Sequence, residues 1–144
     1  MVFLRSVALL FGLLSVPIGC SRPTETATTL AADIVSATRD ADGTISFEVE
    51  WRNLATVPAY MPACGQKASM WLEQRGPSGW TNFGGGVCIH VLDQSPVRIE
   101  PNESIRATVS VGKGPPGEYR AVTSVSADPS QNGELVRSAG AQVR

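Results

Sequence analysis

Histidine and lysine are nearly missing from this 144-residue chain: His90 is the single histidine, and Lys67 and Lys113 are the only lysines. One imidazole leaves a Ser-His-Asp or Cys-His arrangement with a single base to draw on. No serine stands in a Gly-x-Ser-x-Gly setting, and the carboxylates are scattered without a pair placed as acid and base. The chain is therefore expected to be non-enzymatic, with no catalytic residue. The absence of any basic block removes the electrostatic footprint of nucleic-acid binding. Gly84 to Gly86 is followed by no Lys-Ser/Thr pair and opens no helix, so it reads as a turn and not as a phosphate loop. Nor is there an apolar run long enough to cross a bilayer, which takes roughly 20 residues. The longest, Val7 to Ile18, has about a dozen, the length of a signal-peptide core.

The residues at the end of that run specify the kind of leader. Val16, Pro17, Ile18, Gly19 and Cys20 resemble the lipobox of bacterial lipoproteins, although that family prefers Leu or a similar residue where Pro17 stands. The resemblance implies a signal peptide over residues 1–19, a diacylglyceryl group on the Cys20 thiol, and cleavage before it. Ser21 lacks the aspartate of an inner-membrane retention signal, so the expected place is the cell envelope, lipid-anchored, with the outer membrane favoured. Each buried methylene of an acyl chain contributes about 0.8 kcal/mol, so two or three chains hold firmly without a spanning segment. Residues 20–31 are Thr-rich with almost no large apolar residue, and read as a tether of about 18 Å r.m.s. reach. Without Arg5 the remainder carries 11 basic and 13 acidic residues.

Of three cysteines, Cys64 and Cys88 remain once Cys20 is assigned to lipid. An even pair in an exported chain is most economically a disulfide. It would close a loop of about 25 residues, for which chain entropy gives about 3.5 kcal/mol. Two free buried thiols, or a metal pair, are the alternatives. Cys88 and His90 alternate to one face and with Cys64 would make a metal site, but a disulfide beside an ordinary histidine is the simpler reading, and no metal or cofactor is expected. A copper site from Met61, Met70 and His90 is weaker still, because methionines in strands are more often core.

The domain, residues 32–144, is organised around Ile45 to Gly65. Ile45, Phe47, Val49 and Trp51 alternate with Ser46, Glu48, Glu50 and Arg52, a period of two that puts the large apolar side chains on one face of a strand. A first strand over Ala32 to Thr38 reaches it through Asp40 to Gly43, a tight turn with Gly43 left-handed. The same Asp pair offers too few oxygens for a calcium loop. Pro58 and Pro62 confine Val57 to Met61 to an edge or bulge. In Ala68 to Arg75, either Trp71 or the Met70 and Leu72 pair must face outward. Ser104 to Val111 alternates cleanly, with Asn102 left-handed in the turn before it. Tyr119 to Ala127 comes next, and Leu135 to Val143 reads as the last strand. Turn signals at intervals near ten residues fit an all-β, antiparallel immunoglobulin-like sandwich of about eight or nine strands.

Asn53 with the segment VPAYMPACG, then Trp80, Cys88, the turn RIEPNES and the strand opening PPGEYR resemble an immunoglobulin-like domain of small exported bacterial proteins, and in outline the BsuPI-type proteinase inhibitor domain. The resemblance covers most of Ala32 to Ala127. It implies a β-sandwich and paired cysteines, with Asn102 replacing a glycine of the pattern. Tyr119 is placed to form a tyrosine corner.

Functionally, the sequence is read as a membrane-anchored interaction or structural module whose partner is an unknown envelope protein. Tyr60, Trp71, Trp80 and Phe83 are the candidate interaction surface, since Trp and Tyr are favoured at binding hot spots. The alternatives are an envelope protease inhibitor presenting Tyr60 to Gly65 as a disulfide-braced loop, and a carrier of metal or a small ligand.

Overall fold

The computed structural model describes residues 30–65, 67–85 and 95–144. Cys20, Cys88, His90, the leader and most of the tether lie outside the described residues. The strands that alternate most cleanly in sequence form one sheet. β1 (Leu30–Arg39) and β9 (Ser104–Lys113) flank β2 (Thr44–Asn53), both antiparallel to it. Ile45, Phe47, Val49 and Trp51 are fully buried, while Arg52 is exposed on the other face. Each such side chain stabilises the fold by about 1.5–3 kcal/mol. Ala107, Val109 and Val111 of β9 complete the buried face. The polar face carries surface pairs such as Arg106 with Glu50 at 3.6 Å, which add little each.

β1 begins at Leu30, which is buried, so the strand takes in the last two residues of the segment read as tether. The hairpin to β2 is the expected one. Gly43 has φ of 89° and its N–H donates to the Asp40 carbonyl at 2.9 Å, a conformation that a side chain would strain. Asn102 is left-handed as expected, at φ 64°. A bulge between Ile34 and Ser36 leaves Val35 unpaired and exposed on β1.

The second sheet runs in the order β11 (Glu134–Arg137), β10 (Gly117–Val125), β6 (Trp71–Gly76), β7 (Gly79–Gly85), with β12 (Ala141–Val143) also on β10. Its inner face contributes Leu72, Tyr119, Ala121 and Val125 to the core. Two short pairs bridge the ends: β3 (Ala59–Met61) with β8 (Val97–Ile99), and β4 (Ala63–Cys64) with β5 (Lys67–Ala68). The described residues thus hold twelve strand segments where eight or nine were expected. Part of the excess is the final strand, which breaks at Ser138. Its hydroxyl accepts the Ala121 N–H at 2.9 Å and so replaces a strand bond by a side chain. Gly84 and Gly85, expected in a turn, belong to β7.

Tyr119 makes the tyrosine corner. Its ring is fully buried edge-on to Phe47 of the first sheet and Phe83 of the second, and its hydroxyl donates to the Pro115 carbonyl at 2.6 Å. Burial raises the phenol above its ordinary pKa, against a smaller opposing effect of Arg39, so the donor proton is retained. At the other end of the core, Trp51→Ala is expected to lower stability by about 3–5 kcal/mol, read from the urea midpoint at unchanged slope. A loss below about 1 kcal/mol would show that Trp51 is not a principal core residue.

Candidate functional site

The residues singled out as an interaction surface do not form one. Leu72 and Met70 are the buried pair at the start of β6, so Trp71 is the residue that faces outward, half-buried. Trp80 lies on the same outer face, paired across from Arg75. Phe83 is turned the other way. The register of β6 and β7 shifts between Leu72 and Glu73, so Asn82 pairs with Glu73, Gly84 with Leu72, and Phe83 is the extra residue of a bulge. Three residues from Trp80 and so on the opposite face, its ring enters the core, 5.1 Å from Tyr119 between centroids. Tyr60 sits elsewhere, on β3.

Trp80 is occupied within its own sheet. The Arg120 guanidinium lies over its ring at 4.2 Å and that of Arg75 at 5.5 Å. Arg120 is held in turn by Glu73, whose Oε2 accepts from Nε at 2.8 Å and from Nη2 at 2.6 Å. Arg137 approaches the same carboxylate at 3.8 Å, and Glu118 approaches Arg75 at 3.6 Å. The arrangement ties four strands, β6, β7, β10 and β11, by alternating charge and one aromatic face. Its side chains therefore stiffen the sheet. The copper reading fails on burial: Met61 and Met70 are at 0% and 3% exposure within the core. No group of three or more metal-ligating side chains occurs among the described residues.

A site does form around the second half of the organising segment. Asn53 builds it. This buried side chain donates from Nδ2 to the carbonyls of Val57 and Ile99 at 2.8 and 3.0 Å, and its Oδ1 accepts the Ala55 N–H at 2.9 Å. Those bonds use its donors fully and fix the 54–58 turn against β8. Tyr60 then lies on β3 between two partners: Arg98 across β8, and Ser126 just past β10. The Tyr60–Ser126 bridge is reciprocal, at 2.9 and 3.1 Å. Between that bridge and the turn after β10 lies a cleft of about 300 Å³.

Tyr60, Met61, Pro62 and Ala63 line one part of it, joined by Pro96. Ser124 and Ser126 line it from β10 and its end, and Pro129, Gln131, Asn132 and Gly133 from the following turn. That turn is held by Asp128, whose Oδ1 accepts from the Ser130 N–H at 2.9 Å and from its hydroxyl at 2.7 Å. Gly133 closes it: a Cβ there would meet the Val125 backbone at 2.6 Å, so only glycine lets the turn lie this near. Among the described lining residues, Tyr60 alone has an ionisable side chain. Carboxamides, hydroxyls, proline rings and one aromatic ring converge on a small neutral space, at the lower end of the roughly 300–1,000 Å³ usual for ligand clefts. A second concavity of about 370 Å³ runs beside Ile105 and Ala107 of β9, past Val97 and Lys67. It gathers fewer polar groups.

The sequence pointed to the Tyr60 side of the cleft and missed the Pro129 to Gly133 side, which lies between the last two expected strands. No local signal pairs Tyr60 with Ser126, which is distant in the chain. Cys64 is half-buried at the end of β4, two residues from Pro62, and is engaged by a partner.

The two sheets and their connections make this an immunoglobulin-like β-sandwich domain. No family model and no curated protein matches the sequence. Among solved structures, it is similar to the ApaA-designated protein of Bordetella pertussis, with a TM-score of 0.52 and 16% identity over 82% of this chain and 94% of that one. It is also similar to the CARDB domain of the PF1109 protein from Pyrococcus furiosus, crystallised with di-metal ions, at TM-score 0.44 and 14% identity over 86% and 95%. PapD-like domain 7 of human CEP192 gives TM-score 0.38 and 14% identity over 96% and 93%. At these identities the likeness is one of fold.

Hydrogen bonds from the Ser130 backbone and then its hydroxyl hold the Asp128 carboxyl below the ordinary aspartate pKa. A depressed folded pKa contributes stability that is present above the unfolded value and lost as pH falls through the folded one. Hydrogen exchange at Ser130 and Gln131 is therefore expected to accelerate, relative to the strand amides, only once the pH falls beneath the ordinary aspartate range. The carboxyl carbon of Asp128 should titrate with the same low midpoint. A midpoint at or above the ordinary value would show that the turn is not held this way.

Proposed function

We propose that this protein is a non-enzymatic binding module of the bacterial envelope, held to the membrane by lipid on Cys20 and engaging its partner or ligand at the Tyr60 to Gly133 cleft. The observation that carries the reading is the cleft itself: uncharged hydrogen-bonding groups converge in a concavity set on a sandwich with Tyr119 locked at its centre. Loops placed on a rigid scaffold are where binding function concentrates. The anchor rests on the sequence of residues 16–20, which supports delivery to the membrane surface.

Pairing of Cys64 with Cys88 belongs to the same reading. It is supported by the disulfide-bonded state of Cys64 and by the need to brace the two-residue strands β4 and β5 beside the cleft. A protease-inhibitor role gains less from the geometry. Met61 and Ala63, within the segment that would enter a protease, are buried at 0% and 7% exposure, and Tyr60 is held in a strand on both sides.

Two measurements test the reading. Cys20→Ser in the full chain is expected to abolish labelled palmitate and release the protein from the membrane fraction; unchanged fractionation would refute the anchor. A photo-crosslinking residue at Asn132 is expected to trap a ligand or partner in intact envelopes, while the same residue at Ser110, on the opposite face of the first sheet, traps none. Equal trapping at both positions, or none at Asn132, would refute the cleft as the binding site.

A further inference from the structure

Resting on that reading of the cleft, we propose that its ligand is a neutral saccharide of one or two rings. The volume of about 300 Å³ excludes large occupants. The chemistry of the lining narrows the class. A charged ligand would have to leave its hydration for described lining groups that return no charge, and Asp128, at the base of the turn, already accepts two bonds from Ser130 through one oxygen and faces Gln131 Nε2 at 3.4 Å with the other.

A peptide bound by strand addition is disfavoured by the backbone. β3 already uses both edges, one on β8 and one on Ser126. Pro62, Pro96 and Pro129 have no N–H to offer to an incoming strand. Recognition must therefore come from side chains. Gln131 and Asn132 each present a carbonyl acceptor and an NH2 donor, the pair that adjacent hydroxyls of a sugar satisfy at once. The half-buried Tyr60 ring supplies a flat apolar surface for the C–H face of the same ring. The arrangement is open on the side of the exposed turn, so a terminal sugar of a longer glycan can enter as well as a free one.

The test uses the full-length chain with maltose, cellobiose, di-N-acetylchitobiose, glucuronic acid and decaproline, watched in proton–nitrogen NMR spectra. At least one of the three neutral disaccharides is expected to shift the side-chain amides of Gln131 and Asn132 in a saturable way, while glucuronic acid does not. Gln131→Ala combined with Asn132→Ala, both at exposed positions, should weaken that binding about tenfold or more with an unchanged spectrum elsewhere. Saccharide shifts that miss the cleft, or that survive the double variant, would overturn the proposal. If decaproline alone shifts the cleft amides, the saccharide is wrong and the cleft stands. If no probe shifts them, the saccharide proposal falls, and crosslinking at Asn132 then decides separately whether the cleft falls with it.

Discussion

The contact on which the rest of the structure depends is the buried ring of Tyr119 between Phe47 and Phe83. Phe47 belongs to β2, the strand whose alternation fills the first sheet's inner face, and Phe83 enters from the inner side of β7, where a bulge interrupts the strand. The hydroxyl of Tyr119 ties the same point to the Pro115 carbonyl. One side chain thus joins both sheets, an edge bulge and the loop that precedes β10. Burial pushes the phenol toward its protonated form, the form that donates this hydrogen bond.

From that point β10 extends as the central strand, and its pairing explains where a cleft can exist. Along one edge it pairs with β6 through Tyr119 to Val122, and further on meets Tyr60 through Ser126. Along the other it pairs first with β12 and then with β11. The changes of partner arise from Ser138 on one side and from Asn53, which sets the approach of β3, on the other. A strand whose neighbours change along its length leaves a gap where one sheet gives way to the next. The cleft lies at such a change, between β3 and the turn after β10.

Legibility in the sequence divides along the range of the interactions. The alternation of Ile45 to Trp51 and of Ala107 to Val111, the left-handed Gly43 and Asn102, and the corner formed by Tyr119 all arise from residues within one strand or turn, and each stands in the structure. The fate of the aromatic residues is not set locally. Trp80 is engaged by Arg120 from a strand distant in sequence, and Phe83, three residues from Trp80 and so on the opposite face of β7, packs on Tyr119 from a strand equally distant. A period of two separates the faces of one strand, but it does not show which distant residues cover each face. The same limit hid half of the cleft. Asp128 to Gly133 carries strong turn residues, and a turn signal gives no indication of which distant strand lies opposite.

The outer face of the second sheet shows how this chain uses its aromatic residues and how that face differs from the proposed cleft. Arginine and tryptophan on an exposed sheet form a sticky surface, enriched at interfaces for that reason. Here Arg75 and Arg120 cover Trp80, and Glu73 and Glu118 pair with those arginines, so the groups that would recruit a partner are satisfied within the molecule. Covering a face in this way leaves it stiff and polar. The cleft groups stand differently, since Asn132 and the exposed side of Gln131 project from a turn whose own hydrogen bonds are supplied by Asp128 and Ser130. Where the scaffold meets its own hydrogen-bonding needs, the side chains above it keep theirs for the ligand proposed for the cleft. That difference, more than the number of aromatic residues nearby, separates the cleft from the aromatic surface that the sequence first suggested.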